Sequence, residues 1–380
     1  MYCPLDSVIL KYKINSRTYD RFIDPLKTIL ASILKLLSRG DRPLQMTFED
    51  QLNALIYFHL QEHKSARHLI QDLKENEFAR QCIAPEDGIS RSSFSEAINN
   101  RGLEQLQSVF QELSRKAASI LPKEHAELGD LVAIDGSLID SVLSMYWADY
   151  RQGSKKAKGH FGFNINQGIP TGVHLSNGKG AERPFVNVIL SPGETGVMDR
   201  GYQSHKDFDL LQAEGKHFVC RIKVSTTKTI IEQNIVNLKG SIFYDAKVLL
   251  GTPGINQTKL PVRVVGYKIG GVEYFVATDR HDLTAGQVAT IYKLRWKIET
   301  FFQWWKQHLK VYHLIARSKH GLMVQILGGL ITYLLMAIYC RQQFDENVSI
   351  KRVRKLRTTI LNELYGGHHT THDEKNFKDH

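Results

Sequence analysis

The sequence predicts an α/β fold with an all-helical region ahead of it and helices after it, on three observations. Residues 1–128 carry apolar positions at helical spacing, short apolar runs divided by Gly and Asn begin at Leu131, and the helical period returns at Tyr292. A length of 380 residues suits two or three domains, or one enlarged one, and 42% hydrophobic against 23% charged residues can form a core that a disordered chain lacks.

In the helical region, Thr47 and Asp50 form a capping-box pattern ahead of Phe48, Leu52, Leu55, Ile56 and Leu60. A second helix is expected from Ser65 to about Lys74, and Ser93-x-x-Glu96 is expected to open a third. A fourth spans Leu103–Ile120, with Leu103, Leu106, Phe110, Leu113 and Ala117 on one face. The segment Ile89–Arg101 could enter a DNA groove. However, some 15 residues separate it from the preceding helix, so it lacks the tight turn of a helix-turn-helix, and a helical cap without base contacts is the alternative.

Strands are then expected at Leu131–Asp135, Gly159–Ile165, Ile169–Leu175, Val186–Leu190 and Val197–Asp199. A helix from His205 to Glu214 closes on Gly215, and His217–Lys223 reads as a strand. Within 224–285, Ser241–Leu250, Pro261–Lys268 and Val272–Thr278 alternate like strands, with Gly270-Gly271 as a hairpin turn. Tyr292–Lys310 reads as one helix. The uncharged run Leu322–Cys340, 19 residues long, could span a membrane by length. Gln325, Thr332, two tyrosines and the lack of a second span favour a buried core helix and no membrane partner. Lys351–Arg357 reads as a basic tail, and His368, His369 and His372 as a disordered end.

Charge narrows the function. There are 50 Lys and Arg against 39 Asp and Glu, a net +11, which points to a polyanionic partner. Residues 1–128 are neutral, with 17 of each sign, so the excess lies in 129–380. There, 151–228 has 12 basic against 6 acidic residues, 291–320 has 7 against 1, and 129–150 has four aspartates and no cation. Acid clustered within a basic half suits carboxylates for metal and cations for phosphate. Cys3, Cys82, Cys220 and Cys340 contain no Cys-x-x-Cys pair, which excludes a disulfide scaffold and a zinc knuckle. They suit a reducing compartment, and the N-terminal apolar run is too short for a secretion signal, so a cytoplasmic protein is expected.

The most specific pattern is Tyr292-x2-Arg295-x3-Glu299-x6-Lys306. At about 100° per residue these four fall within a wedge of roughly 60°, which joins one carboxylate, two cations and a phenol. That face suits a phosphodiester, while Trp296, Ile298, Phe301 and Trp305 lie elsewhere and can pack; an i,i+4 ion pair between Arg295 and Glu299 on a surface helix is the bland alternative. Asp135 and Asp199 each close an apolar run and meet a glycine within two residues. With Glu299 they would supply three carboxylates for two divalent ions, and oxygen ligation favours Mg²⁺ or Mn²⁺ over zinc.

The blocks LVAIDGSLI, GVMDRGY and YxxRxxxExxxxxxK resemble those of DDE transposases of the insertion sequence 4 family, over about residues 125–340. The resemblance implies a ribonuclease-H-like catalytic core with a β-rich insertion between the second Asp and the Glu. The implied layout is a helical N-terminal domain at 1–125 for DNA ends, core at 126–223 and 286–345, insertion at 224–285 and a basic tail at 346–380. It implies Asp135, Asp199 and Glu299 as the metal-binding triad, with two Mg²⁺ for which Mn²⁺ can substitute, and Tyr292, Arg295 and Lys306 as phosphate contacts. Arg200, Tyr202, Lys158 and His160 are further candidates for DNA contact; a turn at Arg200 and Tyr202 and a core role for His160 are equal alternatives. The implied partners are double-stranded DNA, as terminal inverted repeats and target, and a second copy of the chain in a synaptic complex at the nucleoid. Enzymes of this family often hold a flipped base on an aromatic residue, for which Phe243, Tyr244, Tyr274, Phe275, Trp296, Trp304 and Trp305 are candidates.

The expected activity is cut-and-paste transposition by two-metal hydrolysis and strand transfer. Its rivals are a stand-alone nuclease or resolvase on the same fold, and a domesticated DNA-binding protein without catalysis.

Overall fold

The computed structural model describes residues 17–36, 44–85, 88–142, 144–151, 154–236, 240–309 and 313–365. Cys3 and the histidines at 368, 369 and 372 lie outside them. The chain begins with five helices: α1 (Arg17–Leu30), α2 (Phe48–Leu60), α3 (Ala66–Glu75), α4 (Arg91–Asn100) and α5 (Leu103–Ile120). Thr47 and Asp50 cap α2 reciprocally, each side chain accepting the other's backbone amide, at 2.8 and 3.1 Å. α4 starts earlier than expected, because Ser90 is the last extended residue and its hydroxyl takes the Ser93 amide at 3.1 Å.

The helices need a core, and a distant segment supplies it. Helix α10 (Lys319–Phe344) packs on α1, α2, α4 and α5. By length and composition it could cross a membrane, but 89% of its most apolar window is buried inside the protein. Its polar residues are satisfied there: Gln325 Oε1 accepts the Ile315 amide at 2.9 Å, and the Thr332 hydroxyl donates to Gly328 O at 2.7 Å. The basic segment read as a tail is part of a docked helix, α11 (Ile350–Tyr365). Val353, Leu356 and Ile360 give it a buried stripe, and Arg357 reaches Glu62 at 2.7 Å.

Strands β1 (Leu131–Asp140), β2 (Asp149–Arg151), β3 (Ser154–Asn164), β4 (Ile169–Asn177), β5 (Thr195–Met198), β6 (His217–Arg221), β7 (Lys228–Gln233), β8 (Ile242–Leu250), β9 (Val262–Ile269) and β10 (Val272–Thr278) form one mixed sheet. Its order is β2-β3-β1-β5-β6-β10-β9-β8-β7, with β4 also on β3. β3 runs antiparallel to both β4 and β1, whereas β1, β5 and β6 run parallel. β7 to β10 continue the same sheet as an antiparallel meander. The β9–β10 turn uses Gly270 and Gly271 at φ +54° and +80°, a pair of left-handed positions that side chains resist.

Val186–Leu190 is not a strand. It forms a helical turn, α6 (Val186–Ile189), after a tighter turn that carries Pro184 in its first positions, and Val188 is exposed. Helix α7 (His205–Ala213) covers one sheet face over Val132, Ile134, Met198 and Phe218. The other face, with Leu131, Ala133, Val197 and Val219, lies under α8 (Ala285–Leu294) and α9 (Trp296–His308), in one core with Phe301 and Trp305.

Candidate active site

Strand alternation aims the two aspartates. Asp135 follows Leu131 and Ala133, and Asp199 follows Val197, so both continue the face that meets α8 and α9. The parallel ladder ends with Ile134 opposite Met198, which makes Asp135 and Asp199 the next residues on adjacent strands. Asp135 is not at a strand end as expected: β1 continues against β3 to Asp140, because only the β5 side of its ladder stops. Asp199 lies just past β5 and caps a short turn, its carboxylate taking the Gly201 amide at 2.7 Å.

The signature residues lie on two helices, not one. A capping box at Thr284 and Gln287 starts α8, well before Tyr292. The helix is interrupted at Arg295, where tighter bonds take over: Arg295 N to Tyr292 O at 3.2 Å and Ile298 N to Arg295 O at 3.1 Å. Tyr292 ends up on α8, with Glu299 and Lys306 on α9. Trp296, expected to pack, is 63% exposed.

Arg295 is buried and bridges the carboxylates, with Nη2 2.5 Å from Glu299 Oε1 and Nη1 3.5 Å from Asp135 Oδ2. Its i,i+4 pair with Glu299 is formed in the folded chain. Burial pushes the Asp135 carboxyl up to about 6, against the Gly136 amide at 2.8 Å and the Arg295 charge, which hold it down. Burial also raises the Tyr292 phenol and lowers the Lys306 ammonium, which donates to Leu138 O at 3.3 Å.

Asp135, Asp199 and Glu299 offer oxygen donors only, which fits a hard divalent cation. Among the described residues no three acidic, His or Cys side chains form an ion cage as they stand. Between Asp135 and Glu299 the Arg295 guanidinium supplies the positive charge, so an ion there requires Arg295 to turn away.

A fourth carboxylate escaped the sequence reading. Glu182 Oε1 lies 3.0 Å from Lys158 Nζ, and its charge acts on Asp135. Room for it comes from Gly136, where an added Cβ would lie 2.7 Å from Glu182 Oε1. A glycine in mid-strand directly after an acid was the available signal. Lys158, expected to face DNA, is thus paired inside the protein. Tyr202 is buried, and its hydroxyl, raised by burial, feels Glu182, Asp135 and Asp199. His160 is fully buried, stacked on Phe185 at 3.9 Å and bonded to Ser176 Oγ at 2.8 Å; burial lowers it to about 4. These two therefore occupy core positions, while Arg200 is exposed. Of the aromatic candidates, Trp305 is fully buried and Tyr274 is stacked on Tyr267.

Carboxylates at the end of a parallel ladder, with cations around them, define a class suited to phosphoryl transfer on nucleic acid. The family described as the transposase DDE domain matches residues 127–335, more than half of the chain, and the chain belongs to that family. It is a DNA-cleaving and strand-joining transposase, and enzymes of its family use divalent metal ions. Similar proteins include one from Synechocystis named "Putative transposase for insertion sequence element IS4SA", 26% identical over 72% of this chain and 78% of its own length. A Geobacillus stearothermophilus protein named "Probable transposase for insertion sequence element IS5377" is 24% identical over 57% of this chain and 59% of its own. Among solved structures, the piggyBac transposase synaptic complex with hairpin DNA matches 92% of this chain and 78% of that one, with 12% identity and a TM-score of 0.43.

Proposed function

We propose that this transposase moves its insertion element by cut-and-paste, through a ribonuclease-H-like core at 126–223 and 286–345. The five-strand order β4-β3-β1-β5-β6, three antiparallel and then two parallel, supports that reading, with 224–285 as its β-rich insertion. In the same reading 1–125 contacts DNA ends and 346–380 is a basic C-terminal segment. The observation that carries the proposal is the adjacency of Asp135 and Asp199 on one face with Glu299 across from them.

Asp135, Asp199 and Glu299 would hold two Mg²⁺, with Mn²⁺ as a substitute. Such ions supply charge that activates the attacking oxygen and steadies the leaving oxygen. Arg295, turned from Glu299, pairs with a phosphate oxygen, and its planar fork suits that contact. Lys306 and Tyr292 hold the same phosphodiester. Cleavage frees a 3′-hydroxyl at the element end, which then attacks target DNA at the same carboxylates. Two inverted repeats handled together call for a homodimer, acting on DNA at the nucleoid in the cytoplasm.

The test is incubation of precleaved element ends with plasmid and Mg²⁺. Joined product is expected; cleavage of intact ends without joining would point to a nuclease. Lys306→Ala is expected to weaken DNA binding and flatten the salt dependence by about 0.9 in log–log slope, the share of one phosphate contact. Titrations across salt concentration measure it, and an unchanged slope would remove Lys306 from the phosphate.

A further inference from the structure

The α7 side of Asp199 carries a second concentration of positive charge, separate from Arg295 and Lys306. Arg183, Arg200, Lys206, Lys223 and Lys259 line one open cleft of about 510 Å³. All five are exposed, and none forms an ion pair among the described residues. The one carboxylate on the wall, Asp209, is taken by the Lys259 and Leu260 amides at 2.9 to 3.1 Å. It holds the 251–260 loop in place and leaves the lysines without an acidic partner among the described residues.

The walls are braced. His205 Nδ1 pairs with Asn256 O at 2.7 Å, joining the loop to the start of α7. Gln203 Oε1 accepts the Lys223 amide at 2.9 Å, and Arg183 Nε donates to Gly201 O at 3.2 Å. Five repelling cations are thus held together by contacts that do not neutralise them. Such an arrangement stores electrostatic energy that a polyanion releases.

Position selects the polyanion. Arg200 adjoins Asp199, so the cleft opens beside the carboxylates, while Tyr292, Arg295 and Lys306 approach from the opposite sheet face. A phosphodiester at Asp135 and Asp199 therefore has cations on both sides. We infer that the α7 cleft holds duplex DNA on the far side of the scissile phosphate, outside the element, through its backbone. This rests on the catalytic reading of Asp135, Asp199 and Glu299. The lining suits DNA of arbitrary sequence: arginine, lysine, serine and amide groups grip phosphates, and phosphate contacts carry no sequence information. DNA bordering an element has no fixed sequence.

The test compares two duplex probes taken from the DNA bordering the gene. One stops flush at the element's end, and the other carries about 15 further base pairs, a span of roughly 50 Å at 3.4 Å per step. Lys206→Glu/Lys223→Glu/Lys259→Glu is expected to bind the flanked probe at least about 10-fold more weakly than wild type, with a salt slope lower by roughly 2 to 3. Binding of the flush probe should change less than about 2-fold, on the same counterion argument. Equal loss on both probes, or none on the flanked one, overturns the inference. Lys259→Ala alone guards against misfolding, and its slope on the flanked probe should fall by about 0.9. Asp135→Asn cleavage, measured separately, tests the catalytic reading, so the two readings fail independently.

Discussion

Asp135→Asn is expected to abolish metal-dependent cleavage of an element end, by at least about 10³-fold, while making the metal-free protein more stable. The amide keeps the shape of the carboxyl and removes the charge that would hold a cation. The gain in stability follows from the same burial that serves the site. The Asp135 carboxyl is raised from 3.8 to about 6, so in the folded chain it keeps a proton that the unfolded chain has lost. Ionising it at neutral pH therefore opposes folding, and this penalty fades as pH falls from about 6 towards 4. A shift of this size corresponds to at most about 3 kcal/mol, less what Arg295 loses with the charge. Thermal melts in EDTA should show the variant melting higher than wild type at pH 8, by about 2–5 °C, with the difference shrinking near pH 4. Cleavage within tenfold of wild type, or a lower melting point at pH 8, would overturn the assignment.

Arg263→Ala is expected to cost about 3–5 kcal/mol of stability and to reduce cleavage, although it lies on β9, far along the sheet from Asp135. Arg263 on β9 and Asp245 on β8 are both buried and share two bonds of 2.8 Å. The same guanidinium donates to Leu283 O, one residue before the Thr284 cap of α8. Truncation leaves the Asp245 charge buried without its partner and frees the start of the helix pair that carries Glu299. The check is a denaturant melt beside a cleavage assay; Arg263→Ala/Asp245→Ala should recover much of the stability and less of the cleavage. Wild-type stability in the single variant would show that the pair contributes little.

Much of the architecture was legible because it is local. The capping box at Thr47, α5 from Leu103 to Ile120 and the Gly270-Gly271 turn depend on neighbours within a few residues, and the structure has each one. Val186–Leu190 misled because valines also suit a short turn when Pro184 precedes them and no strand lies alongside. The helix break at Arg295 had no local breaker residue to mark it. Arg295 is drawn to Asp135, 160 residues away, and distant partners leave no mark on periodicity.

The sequence alone determined the family, through the blocks LVAIDGSLI and GVMDRGY and the Tyr-Arg-Glu-Lys spacing, and the class of chemistry, through carboxylates set among cations. Spacing along one helix or one strand is enough for that. Only the tertiary structure decided which groups meet. It set Asp135 beside Asp199 by ladder register, put Arg295 between Asp135 and Glu299, paired Lys158 with Glu182, and withdrew His160 and Tyr202 into the core. Each outcome depends on strand pairing and burial between segments far apart in the chain, where the energy of a contact is fixed by three-dimensional proximity and not by sequence separation.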